Sequence, residues 1–440
     1  MIASFRRTLA GLLAVPALAT AQAPVVPLTD PMPPVRMPAP AANMPIPVAP
    51  ARTPVTVPEV VPPAAAEPEK TGEPAEPPTR YLVEGLLGQT AVGKKLGENG
   101  FRFYGWTEGV YTPSTARDTN FPLAQNDRAN NFQMTQNYLR FEKTIDAEKK
   151  ERQFGFQVDG IVPGTDARYT PARGLFTGQF NNGGQYGFDM PQAFVRGYLP
   201  EVLGGTSFQL GKFFAPIGYE SVDATQTPFA SRSYSFVYNP YTVTGGLATI
   251  SLTDDITWAN GFHVGNDQFV GNEANRLGYI SSLKWAPKDG KASVALNLMI
   301  TDPKFDQARG QNNYNVYNAV LTYKIADKLR YALDATFSHQ DNIPGVGSAH
   351  WYGFANYLMY DVTETLGWNQ RLEFFQDQKG VRIGTPGLMT AFTSGLNWHP
   401  NSWFVFRPEV RYDFNSGGPG AFQNGDRNLF TAGIGAILRY

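Results

Sequence analysis

The residues of this 440-residue chain best suited to chemistry are its four histidines and its rows of charged side chains at alternate positions. His263, His339, His350 and His399 are scattered, and none forms an H-x-x-x-H pair. His339 and His350 flank one loop with Asp341 close by, a neighbourhood that hydrolytic enzymes use. The plainer reading is a set of solvated or interfacial histidines, and no catalytic residue is assigned. Asp166 and Asp302 read as lone loop acids. The chain has no cysteine, which excludes disulfides, zinc thiolate sites, thiol catalysis and a lipoprotein anchor. No glycine-rich phosphate loop follows a strand and opens a helix. No basic stripe suits nucleic acid, and no metal or cofactor is expected.

The charged rows are more ordered. In Lys328–Gln340, Arg330 and Asp334 alternate with Leu329, Tyr331, Leu333, Ala335 and Phe337. In Glu364–Lys379, Arg371 and Glu373 oppose Trp368, Leu372 and Phe374. In Ser402–Phe414, Arg407, Glu409, Arg411 and Asp413 oppose Phe404, Phe406, Val410, Tyr412 and Phe414. Successive strand side chains point to opposite faces, so each run has one apolar and one charged face. Charges in a row cannot sit unpaired in a dry core, whereas a water-filled lumen accepts them. The expected lumen set is Arg140, Glu142, Asp159, Arg196, Arg330, Asp334, Arg371, Glu373, Arg407, Glu409 and Arg411. Its signs nearly balance, so neither anion nor cation preference is assigned.

The elements that must carry these rows are the strands of a transmembrane antiparallel β-barrel, an all-β fold. Charged residues are only 17% of the chain against roughly a quarter in an average soluble domain, and aromatics reach 13%. From Phe101 onward strand-like runs recur between turn residues. Short connections fall at Thr144–Arg152, Pro200–Gly205, Thr253–Asp255, Pro287–Lys291, Ala326–Asp327, Asp361–Glu364 and Pro400–Asn401. Longer ones fall at Thr112–Asn131, Pro163–Pro191, Ala215–Pro240, Asn266–Arg276, Asp302–Asn312, Asp341–Ala349, Gln378–Pro386 and Asn415–Asp426. Short and long alternate without a break, which gives about sixteen strands, fourteen and eighteen being the neighbouring even counts. Short turns face the periplasm in such barrels and longer loops face outward. An even count puts both chain ends on the periplasmic side. Trp106, Trp258, Trp285, Trp398 and Trp403 fit an interfacial girdle. The final run, with Phe430, Ala432, Ile434, Ala436, Leu438 and Tyr440 on one face, ends on an aromatic residue.

Ahead of the barrel, Met1–Ala23 reads as a secretory signal, with Arg6 and Arg7 before an apolar run and Ala19-Thr20-Ala21 as an A-x-A site. Residues 24–80 hold 18 of the 35 prolines, which excludes helix and sheet. They are expected to be a disordered periplasmic linker reaching on the order of 150 Å. Residues 81–100 are a short pre-barrel segment, with one helix expected over Tyr81–Leu87.

Several stretches resemble the beta-barrel porin-2 family, the OmpL-like porins. They are Tyr104-Gly105-Trp106-Thr107-Glu108-Gly109, then Gly211-Lys212-Phe213-Phe214-Ala215-Pro216-Ile217-Gly218-Tyr219-Glu220, then Ser231-Arg232-Ser233-Tyr234 and Thr244-Gly245-Gly246-Leu247-Ala248-Thr249. The resemblance covers about Phe101–Tyr440 and implies an outer-membrane channel. Resemblance to the wider barrel class further implies that assembly machinery reads the C-terminal strand. The expectation is a porin in contact with outer-membrane lipid, passing small polar solutes or ions passively. Homotrimers are expected by analogy with sixteen-stranded porins. The Ala215–Pro240 loop, rich in Phe and Tyr, is expected either to fold inward and narrow the channel or to pack as an external cap. Its candidates are Glu220, Asp223 and Arg232, with Lys212 at the adjoining strand end reaching into the lumen. The alternative function is a structural outer-membrane barrel whose loop plugs the pore and whose proline-rich segment contacts peptidoglycan.

Overall fold

The computed structural model describes residues 81–440 apart from 147–150, 170–176, 181–182, 270–276, 303–304, 307–310 and 419. The signal Met1–Ala23 and the proline-rich stretch 24–80 lie outside the described residues. No helix among those described is long and apolar enough to cross a membrane. The crossing elements are strands, and sixteen of them close into one antiparallel barrel in which each pairs with its sequence neighbours and the last with the first. In chain order they are β1 Phe101–Thr112, β2 Asn131–Lys143, β3 Gln153–Gly164, β4 Gly187–Leu199, β5 Thr206–Phe214, β6 Thr242–Ser251, β7 Ile256–Asn266 and β8 Gly278–Trp285. They continue as β9 Ala292–Ile300, β10 Asn315–Ala326, β11 Leu329–Ile343, β12 Gly347–Asp361, β13 Leu366–Asp377, β14 Gly387–Asn401, β15 Phe404–Asn415 and β16 Asn428–Arg439.

Closure follows from the solvent. In hydrocarbon every backbone donor and acceptor needs a partner, and only a sheet without edges supplies one to each strand. The side-chain rows agree with that geometry. On β15 the Val410, Tyr412 and Phe414 side chains are exposed on the outer face, while Arg407, Glu409, Arg411 and Asp413 are buried on the inner one. The same alternation holds on β13 and β16.

The expected connections recur with one change. The Asp341–Ala349 loop shrinks to residues 344–346, because β11 and β12 run on for 15 residues each and stay paired to Ile343 and Gly347. Residues 163–191 hide no hairpin among the described residues. They carry two 3-10 turns, Thr165–Arg168 and Thr177–Phe180. Trp106 departs from the expected girdle. It shares its face with Tyr104 and Glu108, is fully buried inside the barrel, and stacks on Tyr138 at 4.5 Å. Trp285, Trp398 and Trp403 are exposed on the outside. Before the barrel the expected helix is α1, Leu82–Gly88. A second, α2 at Ala91–Glu98, follows it, started by Thr90, whose side chain accepts from the Gly93 amide.

Candidate functional site: the barrel interior and its inward loop

The connection from β5 to β6, residues 215–241, turns into the barrel. Ile217, Val222, Ala224, Phe229, Ser233, Tyr234 and Phe236 are all buried. Its path can be followed through the strands it touches. The Gly218 amide donates to Asn318 of β10 and the Tyr219 amide to Asp334 of β11. Glu220 accepts from Tyr357 of β12 at 2.9 Å and Arg371 of β13 at 2.8 Å. Val222 and Ala224 cross to Gln136 of β2 at 2.6 and 3.1 Å. The Thr225 carbonyl accepts from Arg439, the last residue of β16, so the loop tip lies at the short-turn end. The chain then climbs through Pro228 against Asn369, Ala230 and Ser231 against Glu409, and Tyr234 against Glu373 and Asp413. A four-residue helix, α3 at Tyr234–Val237, is capped by Ser233 and carries the chain back toward the outer loops. Of the two expected arrangements, the loop adopts the inward one.

The charged row of β13 and β15 therefore does not stand in open water, as the sequence suggested. It is satisfied beneath the loop. Arg371 donates to Glu220 and Glu373, stacks over Phe229, and is fully buried. Arg411 grips Asp413 and the Arg232 carbonyl and lies over Tyr234. Arg407 pairs with Glu108 and donates to the Ala224 and Thr227 carbonyls at 2.9 and 2.8 Å. Glu409 accepts the Ala230 and Ser231 amides at 2.8 and 3.0 Å. Desolvating such charges is costly unless each is paired or hydrogen-bonded, and here the arginines pair with carboxylates while Glu409 is held by backbone amides. Asp334 of β11 likewise holds Asn318 and the Tyr219 amide at 2.6 and 3.0 Å.

A second group lies on β2–β4. Arg140 makes a bidentate pair with Asp159 at 2.8 Å to each oxygen. Glu142 accepts from the Tyr104 hydroxyl and faces Arg196, which reaches Gln157. Arg330 is apart from both groups, half-exposed and paired with Asp361 at the short-turn rim. Within the loop, Asp223 caps its 3-10 turn through the Thr225 amide and comes within 3.9 Å of Arg140, while Arg232 donates to the Ser221 and Val222 carbonyls. Lys212 does not reach the lumen. Period two puts it out of the inward row of Gly211 and Phe213, and its ammonium is buried on the Met190 carbonyl beside Asp189.

Sequence reasoning missed Glu108, Gln136, Lys284, Arg439 and Tyr81. Glu108 was recoverable from the parity of Tyr104 and Trp106. Gln136 carries no charge to mark it, yet it holds four partners of the fold: Trp106, Val222, Ala224 and Asp166 of the Thr165–Arg168 turn. Burial pushes the Asp166 carboxyl up to about 7, with Arg232 acting against that rise. His339 and His350 face each other across β11 and β12, with His339 on Asp341 at 3.1 Å and His350 beside Phe337.

The opposite wall differs. On β4–β10 the inward Arg196, Gln209, Thr249, Thr257, Ser293 and Thr322 are only half-buried. The model of one family, described as "Putative beta-barrel porin-2, OmpL-like", matches residues 100–440. No curated protein matches the chain. Among solved structures, the outer membrane channel DcaP of Acinetobacter baumannii is similar at 10% identity, over 77% of this chain and 97% of that one, with a TM-score of 0.52. OprB of Pseudomonas putida, in its high-pH structure, is similar at 13% identity, over 80% of this chain and 96% of that one, with a TM-score of 0.51.

Proposed function

Since the chain belongs to the family of OmpL-like beta-barrel porins, outer-membrane channels for passive diffusion, we propose that its solutes pass along one wall of the barrel only. The observation that carries this reading is the uneven burial of the inward faces. From β12 to β16 the inward residues are buried under the loop, and toward the short-turn ends of β4 to β10 a band of hydroxyl and amide side chains is half-buried, while Val243, Ile280, Met299 and Val316 further along the same wall pack into the loop's apolar cluster. Such a band suits water, ions and small polar solutes. Arg371, Glu373, Arg407, Glu409, Arg411 and Asp334 then anchor the loop. Glu220, Asp223 and Arg232, all buried, hold the loop in the fold that narrows the passage. Arg140, Glu142, Asp159 and Arg196 line the margin of the passage, and Arg330 its periplasmic rim. Taking the short turns as periplasmic, as is general for such barrels, supports the reading that residues 81–100 and the proline-rich stretch ahead of them belong to the periplasmic side. Assembly as a homotrimer is proposed by analogy with other sixteen-stranded porins, and an unheated gel band at three times the monomer mass tests it.

A second reading has its own support in the depth of the loop, which reaches Arg439 at the far end of β16. In that reading the loop is a plug and the barrel is structural. Purified protein in a planar bilayer separates the two. Stepwise conductance that grows when residues 219–233 are deleted supports the channel. Silence of the intact chain at all voltages favours the plug, and a soluble periplasmic pool on fractionation sinks both.

A further inference from the structure

Helices α1 and α2 sit at the short-turn end of β1 and have no buried residue. Tyr81, immediately before them, is the exception. It is 9% exposed, and its ring lies 4.2 Å from that of Tyr104, which faces the barrel interior. Its hydroxyl engages the Thr225 side chain, and Asp223, Arg140 and Arg439 are close enough to act on it electrostatically. Burial is the largest of these influences and pushes the phenol up to about 12. Three strands thus bear on the phenol from the wall: β1 through the ring of Tyr104, and β2 and β16 through the charges of Arg140 and Arg439. The loop meets it through its tip, Asp223 and Thr225.

The contact is clamped from outside. Glu84 in the first turn of α1 accepts two hydrogen bonds from Arg102, at 2.6 and 3.1 Å, and Arg102 lies 3.5 Å from Glu142. The same Thr225 whose side chain meets Tyr81 gives its carbonyl to Arg439 at 3.3 Å. The loop tip is therefore held from two sides: by the barrel wall, and by chain that comes before the barrel. A loop enters by one end of a barrel, so its tip is its freest part. Here that part is pinned by a residue arriving from the other end.

We infer that Tyr81 is a specificity-determining residue of the channel: it braces the tip of the inward loop from the short-turn side, so the size limit of the passage depends on the segment preceding the barrel. This rests on the channel reading above. Its role is positioning as well as steric, because the ring packs on Tyr104 while the hydroxyl fixes Thr225. Tyr81 is the first of the described residues, so a pull from the chain preceding it acts on this contact first.

The test uses the full chain and the variants Tyr81→Ala, Tyr81→Phe and Glu84→Gln, each first checked for heat-dependent gel migration to establish a closed barrel. Single-channel recording and vesicle swelling in sugars of increasing size are the readouts. Tyr81→Ala is expected to raise conductance several-fold and admit larger sugars. Tyr81→Phe is expected to keep the size limit but show noisier openings, and Glu84→Gln to fall between. A wild-type conductance and size limit in Tyr81→Ala overturns the inference while leaving the channel intact. A double variant, Tyr81→Cys with Thr225→Cys, tests the contact apart from conduction. Cross-linking in membranes is expected, and its absence overturns the brace even if the wild type conducts. A silent wild type whose cysteines do cross-link overturns the channel reading, and the specificity role with it, while the contact itself stands.

Discussion

Two residues carry charge effects that belong to them alone. Asp166 has a carboxyl pushed up to about 7 from an ordinary value of 3.8, chiefly by burial. A carboxyl whose folded pKa is raised binds more protons folded than unfolded. Its contribution therefore favours the docked turn at low pH and is lost as pH rises from about 4 through about 7. Because Gln136 bonds both Asp166 and the loop at Val222, the turn Thr165–Arg168 should loosen over that window. Hydrogen exchange across Thr165–Tyr169, corrected for intrinsic rates, should rise with pH in the wild type and stay flat in Asp166→Asn. A wild-type profile already flat between pH 5 and 8 rejects the assignment. Lys284 is the second case. It is 8% exposed on the inward face of β8, opposite Thr257 and Ala295. Unlike the cations of β13 and β15, it has no ion pair or hydrogen bond among the described residues. One unit charge about 5 Å from a permeating ion in water changes its occupancy about fourfold. The charge favours anions and disfavours cations alike, so Lys284→Gln should lower the anion-to-cation permeability ratio by the square of that factor, about sixteenfold, and Lys284→Glu should lower it further. Reversal potentials under a salt gradient measure this, and a ratio unmoved by the glutamate variant removes Lys284 from the passage.

At the scale of the element, strands whose two faces differ most in chemistry were the most legible. β11, β13, β15 and β16 alternate bulky apolar with charged or glycine positions, so period two fixes both their existence and their facing. The Asp341–Ala349 turn was placed too wide because polar residues such as His339, Gln340 and Asp341 mark a loop equally well as a strand that continues beyond the bilayer. Helix α2 was missed because Gly93 and Gly97 weaken its propensity, while the Thr90 cap that starts it is a single residue. The loop 215–241 was legible as aromatic and structured, but its direction was not. An aromatic loop buries the same side chains under a cap or in a lumen, and only the partners on β10–β16 decide between them. Glycines were legible as turns and illegible as close approaches. Gly211 is the sharpest of these, in the middle of β5 with φ of +136° and a Cβ position 2.3 Å from the Ala193 carbonyl of β4. Both the left-handed backbone and the contact exclude a side chain. Gly211→Ala should part β4 from β5 and cut the heat-modifiable fraction sharply, whereas Gly88→Ala, with nothing within 4 Å, should leave it unchanged. Equal folding of the two variants would show that the seam tolerates the shift.

For the whole molecule, stability in a bilayer depends on closure, because an open sheet leaves two edges of unpaired backbone groups in hydrocarbon. The closing seam pairs β1 with β16 from Trp106 opposite Arg439 to Tyr111 opposite Ile434. Tyr440 extends it beyond the last strand. Its amide donates to the Gly105 carbonyl at 2.8 Å, the Gly105 amide donates back at 2.6 Å, and its hydroxyl reaches Asn137 on β2 at 2.7 Å. One terminal residue thus ties the last strand to the first two. Gly105 leaves room for the Tyr440 ring, since a Cβ there would lie 2.6 Å from it. Two roles for Tyr440 follow, and they separate by where a defect appears. If it closes the seam, a chain ending at Arg439 refolds poorly from denaturant into detergent micelles, where no other protein is present. If it is chiefly a signal to the barrel-assembly machinery, that chain refolds normally in micelles and fails only in cells. The two reciprocal backbone bonds and the span to β2 favour the first outcome, with Tyr440→Phe restoring most of the yield. Full refolding of the truncated chain in micelles would assign the terminal aromatic to recognition alone.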